Sequence, residues 1–410
     1  MLQRRIPEWL RHAPVPTVRK FAALAGFEAL TRGILISVFP LTLYAAFGDA
    51  KSVSALYFFV GLISLATGLA VPPLTRLIPR RWMYTAGVSL FVVGALLALS
   101  GYQYGLAAAL LCNTMATVTS FICINAYVLD HIGKRELGRS ETLRLLYSAL
   151  SWMVGPAGGV WLMHWRPEAP FIVSALSALC MLGLFWWMRM GNGKIIQKAK
   201  GPTPNPLAYL GRFLQQPRLI SGWLFAVLRS CGWWVYVVYV PIFAVQSGLG
   251  EQIGGLSLSF SNGLLFLAPV MMQMVQKSSI RFAVRTGFML SGLAFAAAGF
   301  LAVFPYGAIG MLMLGSLFLI LLDVCAGLPF LMAVRPSERT EMSAIYASYR
   351  DVSGILTPGI AWLVLLVAPL PGVFVAGGVG LFIGWRLAAR VHPRLGVERG
   401  GVKLRRNEAA

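Results

Sequence analysis

Arg32 and Arg229 each fall inside a long apolar run. A guanidinium stays charged at any accessible pH, so it persists in such a setting only where a partner or a cargo holds it. If both runs are helical, Arg32 lies ~18 Å beyond Lys20 and Arg229 ~17 Å beyond Arg218. The two are therefore at matching depth, and no other cation lies as deep. A planar guanidinium grips carboxylate or phosphate through two parallel N–H bonds, so the pair reads as a candidate anion site. Glu28, one helical turn before Arg32, and Asp323, in a later apolar run, are the deep acids. Cargo competing with an acid for its arginine would leave that carboxylate to take up a proton, which is a workable proton-coupling device. A plainer arrangement is also open, with Arg32 neutralised by Glu28 and Arg229 by Asp323 or a backbone carbonyl.

Other polar groups in apolar runs are Asn113, Asn125 and Asn262, which could hydrogen-bond a ligand or join one helix to another. Trp234 and Tyr236 stand with Trp233 and Tyr239 just beyond Arg229, as cavity lining or as interfacial aromatics. The chain has no phosphate-cradling Gly-rich loop, metal-ligand spacing or nucleophile elbow, so no enzyme activity, cofactor or metal is expected. The five cysteines all lie in apolar runs without metal or disulfide spacing and read as packing residues.

The elements that carry these residues must be membrane helices. Of 410 residues, 58% are hydrophobic and only 12% charged, against about 25% charged in a soluble domain. Backbone groups in lipid must be satisfied internally, and long apolar runs without strict alternation choose helices over a barrel. Twelve such segments can be marked, near 21–47, 53–75, 82–101, 104–129, 145–165, 169–190, 219–246, 252–276, 282–304, 307–333, 345–368 and 372–390. No cleavable signal sequence is expected before the first. The fold class is an all-α membrane protein of twelve transmembrane helices in two six-helix bundles.

The net charge of +21 could mark a nucleic-acid binder, but its placement argues for a membrane. Of the 35 Lys and Arg, 31 fall in segments that alternate along the chain as one side of a bilayer, and only Lys51 and Arg166 lie opposite. This positive-inside pattern puts both termini in the cytoplasm of a bacterial inner-membrane protein. Expected divisions are an N-terminal arm (1–20), a first bundle (21–190), a cytoplasmic linker (191–218), a second bundle (219–392) and a basic tail (393–410).

The halves repeat. A shift of 200 residues places Arg81 on Arg281, Gly87 on Gly287 and Leu90 on Leu290. A shift near 202 places Pro156 on Pro358 and the basic loop from Lys134 on the loop from Pro336. A parallel six-helix repeat is the mark of a transporter whose site lies between the halves, near the midplane.

Over essentially the whole chain this pattern resembles the major facilitator superfamily. Pro72 to Arg81 resembles its loop motif between the second and third helices, matching at Leu74 and Arg80-Arg81. Prolines 72 and 79 stand where glycines are usual, and Arg76 where an aspartate is usual. Arg144 to Gly159, ending Gly155-Pro156-Ala157-Gly158-Gly159, resembles the fifth-helix motif of antiporters, one residue short. Tyr349 to Gly354 with Pro358-Gly359 resembles the eleventh helix.

The resemblance implies that the helices carrying Arg32 and Arg229 face each other across a central cavity. It also implies a cytoplasmic gate, for which Arg76, Arg80, Arg81, Asp130, Arg350 and Asp351 are candidates, with Arg76 pairing Asp130 or Asp351. Gly155, Pro156, Gly158 and Gly159 would permit close packing and a bend. The expected function is proton-coupled transport of a small organic anion or amphiphile, export favoured, by a monomer whose partners are its cargo, protons and lipid. Alternatives on the same fold are a multidrug exporter of uncharged or cationic compounds, a metabolite or metal-chelate importer, and a lysolipid flippase.

Overall fold

The computed structural model describes residues 17–132, 136–188, 210–277, 279–334, 342 and 345–390, without the side chains of Arg76, Leu129, Asp130, Leu137, Glu141, Gln276, Lys277 and Leu331. The N-terminal arm, most of the linker and the basic tail lie outside the described residues.

Twelve helices, α1 to α12, stand near the twelve apolar segments. They are Val18–Phe47, Ala50–Leu77, Arg80–Ala98, Gln103–His131, Leu137–Trp165 and Ala169–Trp187, then Pro217–Gln246, Glu251–Val275, Ile280–Phe300, Pro305–Cys325, Tyr349–Val364 and Pro371–Ala388. Eleven of these spans are long and apolar enough to cross a bilayer; α11, at 16 residues, is the shorter twelfth. No strand occurs among the described residues.

Local chemistry sets several ends. Asp49 caps α2 by accepting from the Ser52 amide at 2.6 Å, and Gly48 before it has φ +79°, a left-handed turn that a side chain would strain. Ser279 caps α9 the same way, accepting from the Phe282 amide at 3.1 Å. Pro217, Pro305 and Pro371 open α7, α10 and α12, where the missing N–H is no loss.

Equivalent helices pack alike in the two halves. In the first, α1 packs on α5 and α6, and α3 on α4 and α6; in the second, α7 packs on α11 and α12, and α9 on α10 and α12. Glycines set the closest approaches, as where Gly87 meets Thr119 and Gly287 meets Leu322. Between the bundles, α5 packs on α8 and α2 on α11. Hydrogen bonds crossing that seam, among the described residues, join the hydroxyls of Ser54 and Tyr239 at 2.8 Å and the Ala157 amide to Ser259 Oγ at 2.9 Å. Ala157 directly follows Pro156, which has no N–H of its own and disturbs the helix ladder around it. Both bonds lie in the half of the molecule away from the basic segments, and Tyr57 meets Trp234 edge-on there with centroids 6.1 Å apart.

Candidate functional site

The first half-site is built on a broken helix. Within α1 the helix runs to Gly33, is interrupted at Ile34–Ser37 and resumes at Val38. Arg32 thus sits in the last turn of a half-helix, where unpaired carbonyls favour a cation. The break has room because α5 presents glycines to it. A Cβ on Gly155 would come within 2.6 Å of the Gly33 carbonyl carbon, and one on Gly159 would run into the Ile34 carbonyl oxygen. Gly158 faces more open space, its nearest neighbour being Val154 at 4.0 Å.

Hydroxyls then fix the rotation of α1. Ser148 and Ser151 of α5 donate to the carbonyls of Ala25 and Gly26, and Ser174 and Ser177 of α6 to those of Thr31 and Phe27. The outcome is that Arg32 Nη1 donates to Glu28 Oε1 at 2.8 Å while its guanidinium lies 5.3 Å over the Trp152 ring. The pair keeps side-chain exposures of 33% and 20%, enough for water and cargo to reach it.

The second half-site joins two helices. Arg229 Nε on α7 lies 3.1 Å from Asp323 Oδ1 on α10, and Trp233 Nε1 donates to Asp323 Oδ2 at 2.9 Å. Arg229 Nε makes this contact as a charge pair, without the alignment of a hydrogen bond. The guanidinium also stands 5.3 Å over Tyr349, which is followed by an aromatic row of Tyr346 and Phe330. Next to Arg229, Ser230 shares a hydrogen bond of 2.7 Å with Ser353, joining α7 to α11. Arg229 is the more enclosed of the two arginines, with 12% side-chain exposure.

Each arginine thus has its own acid, as in the plainer arrangement, and the two share no partner. The other expected ligand groups separate. Asn125 accepts from Arg144 at 3.0 Å, and Asn262 donates to the Leu258 carbonyl of its own helix at 3.0 Å. Each amide thus has one hydrogen bond within the protein. Asn113 is half-buried and its amide makes no hydrogen bond among the described residues. Tyr236 is fully buried, its hydroxyl bonded to Ser261 Oγ at 2.7 Å in a chain that continues to Ser316. Trp234 belongs to the seam with Tyr57.

At the basic end, Arg80 lies 5.4 Å over Tyr127 and Arg81 6.0 Å over Trp82. Arg350 reaches Phe121 of α4 at 5.3 Å and donates from Nε to the Tyr349 hydroxyl at 3.2 Å. The expected Arg76 pairing lies outside the described side chains, and Asp351 forms no ion pair among the described residues.

Trp152 is a neighbour of a charge pair that the sequence reading passed over, and Tyr349 and Ser353 were read only as part of the eleventh-helix motif. The signal was present for α5, because Ser148, Ser151, Gly155 and Gly159 recur at helical spacing and mark the face turned to α1.

Residues 21–358 match the sequence model of the Major Facilitator Superfamily. The fold is similar to that of the nucleoside transporter NupG, at 12% identity over 91% of this chain and 98% of that one, with a TM-score of 0.68. It is likewise similar to a POT family transporter solved in complex with 5-aminolevulinic acid, at 13% identity over 91% of this chain and 94% of that one, with a TM-score of 0.71. Among curated proteins none matches the chain in sequence. The chain belongs to the Major Facilitator Superfamily and is a multi-pass membrane transporter rather than an enzyme.

Proposed function

We propose that this protein is a proton-coupled transporter of small organic anions or amphiphiles, with its basic end in the cytoplasm and the cavity open to that side. The observation that carries the reading is the pair of arginine–carboxylate contacts at similar depth on α1 and α7, helices that take equivalent places in the two bundles. An ion pair already formed in the resting site is a neutral unit. An anionic cargo competes with the carboxylate for the arginine, so occupancy of the site and protonation of Glu28 or Asp323 are linked. The closed seam at Ser54–Tyr239 and Ala157–Ser259 lies away from the basic segments, which supports access from the basic end. Export is the favoured direction, on the resemblance of α5 to the antiporter motif.

The test is cargo affinity, measured with a panel of radiolabelled mono- and dicarboxylates and phosphate esters on wild type, Arg32→Lys and Arg229→Lys. Lysine keeps the charge and loses the fork. A charge-assisted hydrogen bond contributes roughly 1.5–3 kcal/mol, so affinity for the anion that binds should fall about 10- to 150-fold. Binding of uncharged or cationic compounds alone, or equal affinities in all three proteins, would return both arginines to structure and favour a multidrug exporter.

A further inference from the structure

At the basic end of the second bundle, between the start of α9 and the end of α12, lies a recess of about 360 Å³ lined by Ser279, Arg281, Phe282, Arg285, Met289 and Trp385. It is separate from the two half-sites. Arg285 stands 5.3 Å over the Trp385 ring, and its Nε is buried without a hydrogen-bond acceptor. Neither Arg281 nor Arg285 has a carboxylate partner among the described residues. The recess opens sideways: Phe282 is 64% exposed, and Phe282, Arg285 and Met289 share one helix face. Two guanidiniums with no carboxylate partner among the described residues therefore share this recess with the exposed Phe282 and with Met289.

The internal repeat shows that this recess is more than the general excess of positive charge. The shift that places Arg81 on Arg281 and Gly87 on Gly287 places Thr85 on Arg285. Thr85 spends its hydroxyl on the Arg81 carbonyl of its own helix, at 2.8 Å. The first bundle also has two arginines there, Arg80 and Arg81, but they are adjacent and point to different faces, whereas Arg281 and Arg285 stand one turn apart on one face.

We propose that this recess binds the phosphodiester headgroup of an anionic phospholipid, the Arg281 and Arg285 guanidiniums holding the phosphate oxygens and the acyl chains lying along Phe282 and Met289. Phosphate chemistry follows from paired forks without an acid. A lipid source, rather than free phosphate, follows from the exposed Phe282 and the Met289 beside them and from the place of the recess at the basic end of a membrane span.

The experiment is native mass spectrometry of the detergent-purified full chain titrated with phosphatidylglycerol, or with phosphatidylcholine of the same acyl chains. An arginine near the headgroups is worth roughly fivefold in binding, so the double variant Arg281→Gln/Arg285→Gln should bind phosphatidylglycerol about 30-fold more weakly, with phosphatidylcholine unchanged. Arg386→Gln/Arg390→Gln, which removes two exposed cations at the same end but outside the recess, should keep near wild-type binding. Arg285→Lys, gentler on folding, should lose several-fold through the missing fork. Equal phosphatidylglycerol binding by wild type and both recess variants would overturn the proposal, and so would an equal loss in the Arg386/Arg390 control. Displacement of the lipid by an equal concentration of inorganic phosphate would also overturn it, by assigning the site to the free anion.

Discussion

Trp233 and Arg229 stand one helical turn apart on α7 and hold the two oxygens of one carboxylate on α10, the indole at 2.9 Å from Asp323 Oδ2 and the guanidinium at 3.1 Å from Oδ1. Glu28 is held more simply, by Arg32 of its own helix. The Arg229–Asp323 contact ties two helices of a bundle together. The Glu28–Arg32 contact lies wholly within one half-helix, so α1 can move without breaking it.

This difference separates the two acids by experiment. Asp323→Asn leaves Arg229 without its anion and should destabilise the protein by about 1–3 kcal/mol, less than a fully buried pair because the Asp323 side chain keeps 30% exposure. Trp233→Phe should lower stability by roughly 1–2 kcal/mol through its lost bond to a charge. Glu28→Gln should change stability by less than either. In proteoliposomes, both acid variants should lose accumulation driven by a pH gradient while keeping exchange of cargo for cargo. Thermal unfolding in detergent and paired uptake assays check these outcomes, and a full pH response in both acid variants would end the coupling assignment.

Gly159 should be among the least replaceable residues of α5. A side chain there meets the Ile34 carbonyl, so Gly159→Val must push α5 off the break in α1, at about 1–3 kcal/mol or more. Gly158→Ala, one residue away in more open space, should be nearly neutral. Size-exclusion profiles and thermal unfolding of the two variants provide the comparison. Equal tolerance at both positions would mean that the packing of α5 against α1 is not as close as described.

The orientation is open to labelling. In a background without native cysteines, cysteine at Gln103 or Tyr306, both at the charge-poor end, should react with an impermeant thiol reagent added outside cells. Cysteine at Lys134 or Lys198, in basic segments, should react only after the membrane is breached. The reverse pattern would invert the topology and with it the side to which the cavity opens.

What the sequence determined by itself was the set of elements and their family. Apolar runs must become helices in lipid because backbone groups there find no water, and each of the twelve helices lies close to its run. Depth was also legible, since helical rise is fixed: Arg32 and Arg229 do lie well inside their spans. The Glu28–Arg32 pair could be read directly, because four residues on a helix share a face. Partners across helices could not. Nothing in the spacing of Arg229, Trp233 and Asp323 says that α10 packs beside α7, or that Asn125 faces Arg144 and Tyr236 faces Ser261. Such contacts depend on how each helix is rotated about its axis. For α1 that rotation is decided by serine hydroxyls of α5 and α6 bonding its carbonyls, and by two glycines that admit its break. In a chain this apolar, periodicity says little about which face turns inward, because lipid and protein interior favour the same residues. Only the tertiary structure therefore decided which polar groups meet each other and which remain free to meet a cargo.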